Sequence, residues 1–116
     1  MSTGTAAEER QLLLEDFVSR LKAEVDKDRS IWIVERLTAK SGIIVKGKYA
    51  CCYSDQPVGF VLVICKAEEL TKDLTNPDLL VVDYEQISNK WIDTVMDKRF
   101  SNDDLVKDVL SRLTKP

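Results

Sequence analysis

The chain has 116 residues, 44% apolar and 32% charged, enough apolar surface to fold as one domain without disulfide or metal support. Lys and Arg total 17 against 20 Asp and Glu, and no basic run occurs, which excludes strong electrostatic binding to DNA, RNA or an anionic membrane by the chain alone. Three cysteines, an odd number, do not fit a disulfide-stapled secreted domain, and the N-terminus lacks the charged and apolar blocks of a signal peptide, so the expected location is cytoplasmic or nuclear.

Residues 1–7 read as a flexible tail and 8–116 as a single domain. Thr5 followed by Glu8 matches a capping box, in which each side chain satisfies a backbone donor at a helix start. Leu14, Phe17, Val18, Leu21 and Val25 then form one apolar helix face, which predicts a helix ending near Lys27 or Asp28. The period changes at Ile31-Trp32-Ile33-Val34, whose β-branched and aromatic side chains predict a strand. Lys40-Ser41-Gly42 predicts a hairpin turn, and Ile43 to Tyr53 a second strand that Gly47 bends or bulges. After the turn at 54–59, Phe60 to Cys65 predicts a central strand, because both of its faces are apolar. A polar stretch from Lys66 to Pro77 precedes a fourth strand, Leu79 to Tyr84. Trp91, Ile92, Val95 and Met96 fit a helical stripe better than a short strand, although a strand remains the alternative. Ser101 with Asp104 caps a last helix carrying Leu105, Val106, Val109, Leu110 and Leu113.

This order predicts the α+β class: an N-terminal helix, a bent antiparallel meander of four to five strands, and one or more C-terminal helices. The helices would cover one face of the sheet.

The chemistry available is narrow. The sequence has no histidine, the commonest base near neutral pH. Its four glycines are scattered, and none opens a helix after a strand as a phosphate loop requires. Cys51 and Cys52 are neighbours on a strand and should point to opposite faces, so with Cys65 they make a poor metal site and read as small buried hydrophobes. Asp93, Asp97, Asp103 and Asp104 lack the alternation and glycine of a calcium loop, and Lys46 and Lys48 read as a solvated strand end. No metal or cofactor is expected, and no enzyme activity.

The segment from Ser30 to Tyr84 resembles the Sm/LSm fold. Val34-Glu35-Arg36-Leu37 precedes the turn at Lys40-Ser41-Gly42. Ile44-Val45-Lys46-Gly47-Lys48-Tyr49 looks like that family's glycine-bent strand, and Asp55-Gln56-Pro57-Val58-Gly59 stands where its Asp-x-x-Met-Asn motif would be. Phe60-Val61-Leu62-Val63 and Ala67-Glu68-Glu69-Leu70 resemble the continuation. The family's RNA-contacting asparagine is replaced by Gly59, and its Arg-Gly motif reads Asp83-Tyr84, so the resemblance implies the protein-pairing type of member, such as the Sm-like Gemin subunits. RNA contact is then weak or indirect.

The expected function is a non-catalytic module that pairs through its sheet edges with a protein partner or a second copy, possible settings including ribonucleoprotein assembly. Candidate interface residues are Trp32, since aromatic side chains are enriched at interface hot spots, and Leu80, Val82 and Tyr84 on the fourth strand, taken as an edge. The alternatives are an RWD-like or small-chaperone adaptor that binds a protein or peptide, and a small enzyme using carboxylates or a Ser–Lys pair.

Overall fold

Helix α1 (Ala6–Lys27) starts and stops on the residues its sequence marks. The Thr5 side chain accepts a hydrogen bond from the Glu8 N–H at 3.2 Å, and the Asp28 N–H closes the helix on the Glu24 carbonyl at 3.1 Å. The computed structural model describes residues 5–56, 59–70, 74 and 76–114. Of the tail expected at 1–7, residues 1–4 lie outside the described residues, and Ala6 and Ala7 already belong to α1.

Seven antiparallel strands follow in sequence order, each beside its predecessor: β1 (Ile31–Glu35), β2 (Ser41–Lys46), β3 (Tyr49–Asp55), β4 (Phe60–Lys66), β5 (Asp78–Glu85), β6 (Lys90–Asp93) and β7 (Lys98–Phe100). A single 3-10 turn at Ala67–Glu69 follows β4. Helix α2 (Asn102–Leu113) ends the fold, with the Ser101 hydroxyl accepting from the Asp104 N–H at 3.1 Å. The α+β class and its two terminal helices are as the sequence predicts, and the strand count is higher.

The extra strands have local causes. Gly47 does not bend one long strand. It sits at φ +60° in a two-residue turn, between the paired Lys46 and Tyr49, and divides that strand into β2 and β3. Conversely, Gly42 is no turn residue: it lies inside β2, where a Cβ would come within 2.8 Å of the Leu37 and Tyr53 side chains. The helical stripe at residues 88–97 is also corrected. Trp91 is buried on β6, but Val95 and Met96 stand exposed at the tip of the β6–β7 hairpin. Asp93 Oδ1 accepts from the N–H groups of Val95 (3.0 Å) and Met96 (3.2 Å), and Asp97 takes a positive φ of 50°. Those aspartate-based turns outcompete the helix.

Both helices pack on one side of the sheet, and the core lies between. Leu14, Phe17, Val18 and Leu21 from α1 and Leu105, Val106, Val109 and Leu113 from α2 meet Ile44, Cys51, Tyr53, Phe60, Leu62, Leu80, Val82, Trp91 and Phe100 from the sheet. Phe17 packs edge-on against Tyr53 and Phe60, with ring centroids 6.0 and 5.4 Å away, and Phe60 lies 5.6 Å from Trp91. One polar group is buried in this layer. Asn102 accepts from Trp91 Nε1 at 2.7 Å and donates to the Leu13 carbonyl and to Asp16 Oδ2, each at 2.9 Å. It ties α2, β6 and α1 together, with both amide donors and its oxygen engaged.

Candidate interaction surface

Residues that face each other across an antiparallel pair share a side of the sheet, so the register maps both faces. On the side away from the helices, Trp32, Val45, Ala50 and Cys65 form one row. Ile43, Cys52, Val63 and Leu79 form the next, with Glu35 at its β1 end. Ser41, Ser54, Val61 and Val81 form a third. Beyond them the face turns charged, with Asp83 opposite Ile92, Arg99 after it, and Glu85 opposite Lys90.

No helix covers this side. Among the described residues the chain shields only the first row, where Ala67 and Leu70 from the 3-10 turn and the residue after it pack on Val45, Ala50 and Cys65. The second and third rows stay open. Leu79 is 57% exposed and Val81 49%, whereas their chain neighbours Leu80 and Val82, facing the helices, are at 4% and 0%. Val34 and Trp32 continue the apolar surface onto β1. Five strands about 4.8 Å apart and two to three rows about 6.8 Å apart give a face on the order of 400 Å², apolar except at Glu35, Ser41 and Ser54.

The sequence-predicted interface residues separate into two groups. Trp32 is exposed on the open side. Leu80 and Val82 are core residues beneath the helices, and Tyr84, also on the helix side, is half-buried against Trp91 with its hydroxyl 2.8 Å from Asn89 Oδ1. Their strand, β5, is hydrogen-bonded to β4 and β6 and is not an edge. The edges are β1 and β7. The open-side residues Ile43, Val61, Val63, Leu79 and Val81 do not stand out in the sequence, because a strand apolar at every position looks the same whether one face or both are covered.

Several charged groups near the surface are engaged with one another. Arg99 holds Glu85 through two bonds of 2.7 and 2.9 Å, and with Ser88 it lowers the Glu85 carboxyl to about 2. Ser30 and then Lys46 lower Asp28 to about 2 as well. A recess of about 290 Å³ beside the sheet end, next to Tyr49, Cys65 and Lys66, has Arg112 at its wall, bonded to both Asp78 and Asp108.

Adjacent cysteines do point to opposite faces: Cys51 toward the helices and Cys52 toward the open side. Burial pushes the Cys51 thiol up strongly. Cys52 is raised to about 11 by burial and by its diagonal neighbour Cys65, which burial also raises. Such thiols stay protonated and are weak nucleophiles and poor metal ligands at neutral pH. Among the described residues, no group of three or more Cys, Asp or Glu side chains is placed to hold a metal ion, and no helix is long and apolar enough to cross a membrane.

Comparison with protein-family models, with curated proteins and with solved structures finds no match.

Proposed function

We propose that this chain is a non-catalytic interaction module that docks a protein partner on the open side of its sheet, with Trp32 at the rim and Ile43, Val61, Val63, Leu79 and Val81 as the contact area. The observation that carries the reading is the contrast within β5: Leu80 and Val82 are covered by helices, whereas Leu79 and Val81 are covered by nothing among the described residues. An apolar sheet face gains free energy by leaving water at roughly 25 cal/mol per Å², so a second protein surface is its natural cover. The charged border of Asp83, Lys90 and the Glu85–Arg99 pair suits a polar rim around an apolar centre. Three free cysteines fit a reducing compartment, and we place the module in the cytosol or nucleus.

The test is site-specific photo-crosslinking in cells. A crosslinker at position 81 is expected to capture protein, and the capture should vanish when Leu79→Asp is introduced. A crosslinker at Lys107, exposed on α2, serves as the background. Equal capture from both positions would overturn the reading.

A further inference from the structure

We infer that β1 pairs with β1 of a second copy of this chain, antiparallel across a two-fold axis at Trp32, so that two seven-stranded sheets become one. This rests on reading the chain as an interaction module, and it names the occupant of the module's free edge.

Strand β1 is the outermost strand on its side of the sheet, and it is apolar on both of its faces. Trp32 points to the open side, 52% exposed, and Ile33 to the helix side, 44% exposed, while Val34, at the register slip, is 54% exposed. An edge of that kind is a template for another strand.

The backbone phase is set by the neighbouring hairpin. Its two-residue turn makes Lys46 and Tyr49 a hydrogen-bonded pair, and the Asp55 N–H on the Lys40 carbonyl at 2.7 Å keeps the same phase at the other end of β2. Alternation then directs the N–H and C=O of Val45 toward β1, where Trp32 faces it, and turns those of Ile31 and Ile33 outward. The Ile31 N–H is taken by the Asp28 carbonyl at 3.1 Å. The Ile31 carbonyl and both backbone groups of Ile33 are left on the rim.

A two-fold contact requires that residue i meet j while j meets i. With Trp32 on the axis, Ile31 lies opposite Ile33 of the second copy, and the two symmetric Ile33 N–H groups donate to the two Ile31 carbonyls. Arg29, in the turn that leads into β1, then comes to the end of the pair at which Glu35 of the second copy leaves it, and the two charges are opposite. Within the chain, Arg29, Glu35 and Arg36 form no salt bridge among the described residues. The register slips between Ile33 and Glu35, and the long Arg29 and Glu35 side chains span that irregularity.

Competing registers are worse. Centred on Ile33, the pairing sets Glu35 against Ile31, a charge on an apolar partner. Centred on Ile31, it brings together two Ile31 N–H groups that the Asp28 carbonyls already hold, so no bond forms at the axis. Registers offset by one residue turn bonded groups away from each other. In the Trp32-centred pair both open faces lie on one side, so the two indoles meet at the centre of a doubled apolar surface.

Mass in solution across a dilution series tests this. The wild-type chain is expected to give a dimer. Arg29→Glu and Glu35→Arg should each raise its dissociation constant by about tenfold or more, and the double variant Arg29→Glu/Glu35→Arg should recover it. Ile33→Pro removes a rim N–H that makes no bond to β2 and should give a folded monomer by circular dichroism. A monomer at every concentration overturns the inference. So does a dimer indifferent to the charge exchange; if Val81→Asp breaks that dimer, the copies meet face to face instead. Either failure leaves the interaction-module reading to stand or fall by the crosslinking at position 81.

Discussion

Leu79 and Leu80 are neighbours on one strand, chemically identical, and lie in opposite surroundings. Leu80 belongs to a layer closed by two helices, in which aromatic rings interlock and the one buried polar side chain has its partners. Leu79 belongs to a layer that the chain closes only at one end, with Ala67 and Leu70. The same side chain on the same sheet thus contributes to stability on one face and is left over for recognition on the other. The difference teaches that burial is decided by what lies above a residue, not by its hydropathy.

Substitutions at paired positions break or sharpen this contrast. Leu80→Ala should lower the unfolding free energy by about 2–5 kcal/mol in chemical denaturation, because it opens a cavity in a closed layer. Leu79→Ala, on the open layer, should change it by about 0.5 kcal/mol or less. Equal effects would mean that the open layer is covered within the chain. Asn102→Ala should come next, costing roughly 2 kcal/mol, since Trp91 Nε1–H loses its partner in the covered layer. Val81→Asp should leave the melting temperature close to wild type while removing captured partner, a separation of stability from binding that no core residue can show.

The smallest effect is expected in acid. The folded-state carboxyls of Asp28 and Glu85 lie near 2, below their ordinary values of 3.8 and 4.5. Their contribution is complete above the ordinary values and is lost as pH falls through the folded ones, so the melting temperature should decline between about pH 5 and pH 2. Arg99→Ala should flatten the part due to Glu85, the larger partner in that pair being removed. Both sites are exposed, so the slope is shallow. Between about pH 5 and pH 8 stability should be level, since the chain has no histidine to titrate there.

Much of the fold was legible because its signals are local. Thr5 and Ser101 cap helices through bonds three residues away, and the 3.6-residue apolar spacing of α1 and α2 identifies the faces they bury. The failures were local conflicts. At 88–97 an apolar stripe competed with Asp93 and Asp97, and the turn-forming aspartates won. At Gly47 a bend and a turn had the same residue signature, and only the pairing of Lys46 with Tyr49 separates them. Of the candidate interface, Trp32 was placed on an accessible strand, whereas Leu80, Val82 and Tyr84 were assigned to an edge that β6 in fact covers.

By itself the sequence determined the class of the fold, both ends of α1 and the start of α2, the alternation that puts Cys51 and Cys52 on opposite faces, and a set of functional groups without histidine. Those properties depend on residues within about one turn or one pleat of each other. Tertiary structure alone decided that β5 is interior and that β1 is an edge. Each of these depends on contacts between distant segments, and a strand apolar on both faces carries no mark of which face its own chain will leave uncovered.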